Sequence, residues 1–360
     1  MNGGLAGIVA AETVLSDVDG NGGRLVIRGQ AIGALAGHWR FEAVAALLLE
    51  GFIADASEES VTRGIAEGRI AAYARWRGSL AAMLRGREPV EAMRLLLADL
   101  GDDEVMAHPA RLIGATGTAA AMAIRAARGL DGIEPDPALT HAADLRRMMT
   151  ERAAAEVEAR AFETYLVTVI DHGLNASTFA ARLIASTQAG LVSSVIGALS
   201  ALKGPLHGGA PGPVLDMLDA IGAPEHAAPW LAARLDAGER LMGFGHRAYR
   251  VRDPRADVLR HAIATLGPAD ARSSLAAAVE RAALEALARS KAGRRLDVNV
   301  EFYTALLLER LGLPRAGFTA VFAAARVAGW VAHALEQRAT GRLIRPDSRY
   351  VGPPPLAEAG

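Results

Sequence analysis

The chain has 360 residues, 51% of them hydrophobic, a formal net charge of -1 and no cysteine. That length and apolar content are enough for one large core or two unequal ones. The near-neutral charge, without blocks of one sign, lacks the basic footprint of a nucleic-acid binder, and the missing cysteines exclude a disulfide framework and thiolate metal sites while suiting a reducing compartment.

The first residues, MNGGLAGIVAAE, have neither the basic stretch nor the long apolar run of a signal peptide. The nearly uncharged run at residues 187–202 includes Gln and several Ser and falls short of a membrane span. A soluble, cytoplasmic protein without a membrane or nucleic-acid partner is expected. Next, TVLSDVDGNGGRLVIRG sets two short β-branched runs around DGNGG, which predicts a β-hairpin. Beyond it the signals are helical. Residues PWLAARLDAGERLM read as helix, Leu259, Ile263 and Leu266 follow amphipathic spacing, and SSLAAAVERAALEALARSK combines alanine and leucine with i,i+4 charges. No alternation of strands and helices appears, so the expected class is mostly α with a small β element at the N-terminus.

Histidines carry the chemical signal. His38, His108, His141, His226 and His261 sit in ordinary contexts and read as surface or structural. His172 ends the apolar run TYLVTVIDH, where a satisfied core histidine and a ligand contact are both open readings. His207 lies in GPLHGGAPGP, ahead of PVLDMLDAI, a helix with Pro near its first turn. Either it packs in a tight turn, or it is held neutral by the nearby helix N-terminus and donates a hydrogen bond to a carbonyl. His246 lies in GFGHRAYRVRDPRAD, which nominally matches a dinucleotide glycine pattern but has no strand before it and no βαβ unit around it. With Arg247, Arg250, Arg252 and Arg255 so close, this is either a solvated basic loop or a seat for an anion.

Two further residues complete the set. Arg326 is the permanently charged side chain of VFAAARVAGWVAHAL, and if buried it needs a carboxylate of the protein or of a substrate. Glu301 follows Asn299, a candidate N-cap, and a helix N-terminus there favours an ionised base. Neutral histidines, one carboxylate base and several arginines match removal of a proton alpha to a carbonyl followed by carbon-carbon bond formation.

The segments GLAGIVAAETVLSDVDG, DHGLNAST, GPLHGGA, MGFGHRAYRVRDPRA, NVEFYTALLL, ARVAGWVAHALEQ and RLIRPDSRYVGP together resemble, in order and nearly end to end, the short bacterial and archaeal citrate synthases, a family that includes 2-methylcitrate synthases. The resemblance implies a two-domain helical fold, with residues 1–207 and 314–360 forming a large domain, 208–313 a small one, and GPLHGGAPGP the hinge. It implies a homodimer with shared active sites. It also implies oxaloacetate and acetyl-CoA as substrates, or propionyl-CoA in the methylcitrate variant, with no permanently bound cofactor and no metal; a paralogue that binds these ligands with little turnover is the remaining alternative. By the same resemblance His207 holds the thioester carbonyl, Glu301 removes the methyl proton and His246 polarises the ketone. His172, Arg255 and Arg326, with Arg345 from the other subunit, hold carboxylates. Leu241, Gly243, Phe244 and Gly245 meet adenine through backbone, and Arg250 a CoA phosphate, with Lys291, Arg294 and Arg295 as looser matches. The chain departs from the family's pattern at Glu301, where Asp is usual, and at Val298, where Pro is usual.

Overall fold

A computed structural model describes residues 7–153, 155–205, 207, 211–246, 248–290 and 296–353. The expected hairpin forms from β1 (Ser16–Asp19) and β2 (Arg24–Ile27), paired antiparallel with Ser16 opposite Ile27 and Asp19 opposite Arg24. A two-residue β3 (Gln30–Ala31) adds a third strand on the other side of β2.

Among the described residues, all else that is regular is helical. The first half of the chain supplies α1 (Ile32–Leu35), α2 (Phe41–Leu49), α3 (Glu58–Trp76), α4 (Ser79–Met83), α5 (Pro89–Leu97), α6 (Asp102–Ala107), α7 (Pro109–Ala127) and α8 (His141–Thr150). Next come α9 (Glu156–Thr168), α10 (Ala176–Ala185), α11 (Leu191–Leu202), α12 (Pro211–Ile221) and α13 (Ala227–Asp236). The chain continues through α14 (Pro254–Thr265), α15 (Ala271–Ser290), α16 (Val300–Arg310) and α17 (Phe318–Thr340). Among the described residues no strand lies within the GFGHRA segment or directly before it, only an isolated bridge between Phe244 and Val298, so the dinucleotide reading fails as the sequence indicated.

One expectation is corrected. The helix predicted over PWLAARLDAGERLM stops at Asp236, because Gly238 adopts φ +77° and the chain turns before Leu241. Residues 187–202 contain only a shorter apolar helix, Leu191–Leu202, and fall short of a membrane span as expected; the segment long and apolar enough to cross a membrane is Arg315–Ala339. Its most apolar window is 94% buried inside the protein, which makes it a core helix. Around it pack α2, α5, α7, α9, α10 and α11, so Arg326 and His333 of α17 are carried into the interior with their helix.

Separately, α14 packs on α16, α12 on α16, and α13 on α15. Helix α14 also packs against α9, bringing the segment that contains His246 and Arg255 over the loop that follows α9. That loop holds Asp171 and His172.

Candidate active site

His172 and His246 arrive from these two sides and meet edge to face with ring centroids 5.4 Å apart. Tyr249 is 3% exposed, its ring 4.8 Å from that of His246, and its hydroxyl lies 3.1 Å from His172 Nε2. His246 Nδ1 accepts the backbone N–H groups of Ala248 (3.0 Å) and Tyr249 (3.1 Å). With Nδ1 accepting two backbone N–H groups, the neutral ring has its proton on Nε2; Arg255 Nη2, itself only a donor, lies 3.4 Å away and cannot accept it, so that proton is available to a ligand. Burial, reinforced by Arg255, holds His246 down at a pKa of about 4, so the ring is neutral at pH 7. His172 is pushed well below the usual range by burial and by Arg255.

Arg255 is clamped by Asp253, with Nε to Oδ1 at 3.0 Å and Nη2 to Oδ2 at 2.8 Å. Asp253 also caps α14 by accepting from Arg255 N–H and accepts from Val300 N–H at the start of α16. One buried carboxylate thus fixes two helix N-termini and an arginine fork. Arg326 is different. It is 1% exposed, donates from Nε to Val169 O at 2.5 Å, and leaves Nη2 buried without a partner. No ion pair links it to a carboxylate among the described residues. Burial lowers its pKa to about 10, with Arg255 working in the same direction against the pull of Asp171. A cation left this way is a waiting partner for an anion.

Asn299 caps α16, accepting from Glu301 N–H at 3.0 Å as the sequence predicted, and its Nδ2 donates to Gly245 O at 2.8 Å. Glu301 Oε2 is buried and unpartnered. The expectation that the helix terminus keeps this carboxyl readily ionised is corrected, since burial raises its pKa to about 7 against the attraction of Arg255 and Arg326. His207 Nε2 lies 2.8 Å from Ser177 Oγ and accepts Ser177 N–H at 3.3 Å, which leaves the proton on Nδ1. Its pKa falls to about 4, and here too the physical cause differs from the one read in the sequence: burial first and then Arg326, rather than a helix terminus.

The predicted nucleotide-binding loop is built from backbone. Asn299 N–H bonds Gly243 O at 2.9 Å and Gly245 N–H bonds Asp297 O at 2.8 Å, tying residues 241–245 to the approach to α16. Gly243, at φ +83°, sits where a Cβ would come within 2.9 Å of Phe302 Cβ. Leu241 is buried and Phe244 packs on Phe302 with ring centroids 5.3 Å apart. Arg250 and Arg345 are exposed and contribute no side-chain bond to the cluster. Arg294, with Lys291 and Arg295, lies outside the described residues. A cavity of about 840 Å³ lies elsewhere, between α14, α15 and α16, and includes none of these groups.

Several residues that build the site were not singled out in the sequence. His333, fully buried, stands between Arg182 (3.0 Å to Nδ1) and Asp171 (3.4 Å from Nε2), and Arg182 pairs with Glu336. Asp171 in turn accepts from Ser16 Oγ at the start of β1, and Ser16 Oγ accepts Gly173 N–H at 3.0 Å, bracing the His172 loop. Trp330 Nε1 donates to Ser177 Oγ at 3.2 Å behind His207. Asp253 had a legible signal, an Asp-Pro pair at a helix start; His333 had only its place on the same apolar helix as Arg326. No group of three metal-ligating side chains forms among the described residues.

The family profile for the citrate synthase C-terminal domain matches residues 4–347. A putative citrate synthase 2 of Mycobacterium tuberculosis is 37% identical over 359 residues, covering 98% of this chain and 93% of its own. The citrate synthase of Haloferax volcanii is 37% identical over 369 residues, covering 97% and 95%. The crystal structure of citrate synthase from Thermotoga maritima superposes with a TM-score of 0.87 at 33% identity, over 99% of this chain and 97% of that one. With its motifs, its fold and these relatives in agreement from end to end, the chain belongs to the citrate synthase family and is an enzyme of that type.

Proposed function

We propose that this enzyme condenses acetyl-CoA with oxaloacetate, and that the buried cluster of His207, His246, Glu301, Arg255 and Arg326 performs the reaction. Glu301 takes a methyl proton from acetyl-CoA while His207 Nδ1–H donates to the thioester oxygen and steadies the enol. The enol carbon attacks the oxaloacetate ketone, whose oxygen receives a hydrogen bond and then a proton at His246 Nε2. Water cleaves the citryl thioester, releasing citrate and the CoA thiol. Arg326 and His172 hold the oxaloacetate carboxylates, and Arg255, with Nε and Nη2 committed to Asp253, adds positive potential and its remaining donor.

One observation carries the reading. A carboxylate poised near pH 7 and the neutral His207 lie in electrostatic reach of Arg326, a buried arginine with no ion pair among the described residues, while the neutral His246 lies beside Arg255. Residues 241–245 would take the adenine through backbone groups, with Arg250 near a CoA phosphate. We place the reaction in the cytoplasm, in keeping with a cysteine-free chain, and in a homodimer whose sites each borrow Arg345 of the partner subunit. Residues 208–313 would close as a small domain about His207, which small-angle scattering would register as compaction on adding oxaloacetate; an unchanged radius of gyration would count against it.

The direct test is thiol release by the purified enzyme with oxaloacetate and either acetyl-CoA or propionyl-CoA, the product identified by mass. Citrate formed faster than 2-methylcitrate is the expected result. Absence of thiol release with either would sink the proposal.

A further inference from the structure

Three buried polar atoms with no hydrogen-bond partner belong to three helices that meet beside the cluster: Tyr165 Oη in the last turn of α9, Glu301 Oε2 in the first turn of α16 and Arg326 Nη2 on α17. Helix α9 packs against both of the others. Tyr165 is fully buried, and its ring stacks on Phe162 with centroids 6.2 Å apart, so the phenol is fixed in place. Buried hydroxyls, carboxylates and guanidinium nitrogens are normally satisfied, and three orphans within electrostatic reach of one another point to bonds that form in another state of the site.

Their chemistry is complementary. A phenol donates one hydrogen bond and also accepts, a carboxylate oxygen only accepts, and a guanidinium only donates. The Tyr165 hydroxyl feels Glu301 and Arg326 as its nearest charges, with burial the largest influence on it. Glu301 is faced from α14 and its cap by Arg255 and Asp253, from α17 by Arg326 and from α9 by Tyr165. Arg255 is already engaged with Asp253. Once Arg326 turns to a substrate carboxylate, Tyr165 is the neutral donor left for Glu301. A glutamate also has one more side-chain torsion than an aspartate and needs a tether to be held at one position.

We propose that Tyr165 is a positioning residue for Glu301: in the working enzyme its hydroxyl donates a hydrogen bond to the Glu301 carboxylate and holds this longer base against the acyl methyl group. This rests on the role of Glu301 proposed above and extends it to a residue on a separate helix. Removing the donor leaves a base that is less well placed and harder to ionise.

The test compares the parent enzyme, Tyr165→Phe, Glu301→Asp and the double variant. Tyr165→Phe loses no bond present in the free protein, so it should melt with the parent and keep KM for both substrates within about threefold. Its kcat should fall by about tenfold or more, and the acid limb of kcat against pH should move up by about one unit. In the Glu301→Asp background, where the carboxylate is withdrawn from α9 by one methylene, Tyr165→Phe should cost much less. Parental kcat and acid limb in Tyr165→Phe, or equal losses in both backgrounds, would overturn the proposal. An inactive parent would instead refute the catalytic reading, and the contact is then decided by carbon-13 titration of the Glu301 carboxyl with oxaloacetate present: an upward move in Tyr165→Phe supports it, and identical titrations reject it.

Discussion

Arg326→Met exchanges the buried guanidinium for an uncharged side chain of similar volume, and should make the free protein more stable while disabling it. The fall of the Arg326 pKa from 12.5 to about 10, at about 1.4 kcal/mol per factor of ten, means that burial disfavours this cation by roughly 3 kcal/mol. Against that relief stands the lost bond from Nε to Val169 O, worth about 1 kcal/mol. The contact of the guanidinium with the Phe322 ring, at 4.7 Å, is partly kept by the methionine sulfur. The net expectation is a gain of about 1 to 2 kcal/mol, or a melting temperature higher by a few degrees in the absence of ligand. Oxaloacetate should bind about a hundredfold or more weakly, since a buried charge-assisted contact to a carboxylate is lost. Calorimetric melts and oxaloacetate titrations of both proteins decide the matter. A variant that melts below the parent without ligand, or that binds oxaloacetate equally well, would refute the claim that this arginine waits for the substrate.

With a Glu301 pKa of about 7 in the free enzyme and the carboxylate as the reactive form, kcat/KM for acetyl-CoA should fall about tenfold per pH unit below 7 and level off above it; a flat profile from pH 5.5 to 9 excludes this base. His207 and His246 titrate near 4 in the fold but near 6.5 when unfolded, so the unfolded chain binds more protons between those values. Stability should therefore decline as pH falls through that window, and in denaturant melts His246→Gln should flatten the decline. Gly20→Ala would put a Cβ 2.1 Å from Ala248 O and break the bond from Arg250 N–H to Gly20 O. The loop holding His246 should shift, raising KM for oxaloacetate by about tenfold in steady-state assays. Mixing inactive Arg345→Ala and His246→Ala subunits should restore activity, as one site in each mixed dimer is whole; mixed dimers verified by mass and still inactive would count against sharing.

The residues that touch substrate in the proposed reaction were legible because each breaks its local pattern: a histidine among glycines and prolines, an arginine inside an alanine-rich helix, a glutamate just past an N-cap. Arg326 was readable even as a buried charge, since every neighbour on its helix is apolar. What sequence could not weigh was competition between opposing effects. At Glu301 the helix terminus favours the anion, yet burial outweighs it, and burial is set by packing against other helices, α9, α12 and α14 among them. The supporting shell was hidden for the same reason: His333, Asp171, Arg182 and Ser16 lie on four elements whose side chains meet only after packing. The early end of α13 was hidden because Glu239, Arg240, Leu241 and Met242, past the glycine that stops it, are themselves good helix formers.

The helix at the centre of the core is also the last of the described helices to be made. Every groove that α17 fills, on α2, α5, α7, α9, α10 and α11, leaves the ribosome before it. At ordinary rates of synthesis of about 5 to 20 residues per second, α2 waits on the order of tens of seconds for its partner. Throughout that interval the nascent chain presents an apolar trough with nothing to line it, and the segment that will close it is itself hydrophobic enough to be mistaken for a membrane span. Such a chain should depend on holding chaperones until translation passes position 340. A chain stopped at residue 317 should aggregate in a chaperone-depleted translation extract, and supplying residues 315–353 as a separate peptide during synthesis should rescue part of it. A stopped chain that stays soluble and monomeric would mean that the earlier helices close a core of their own.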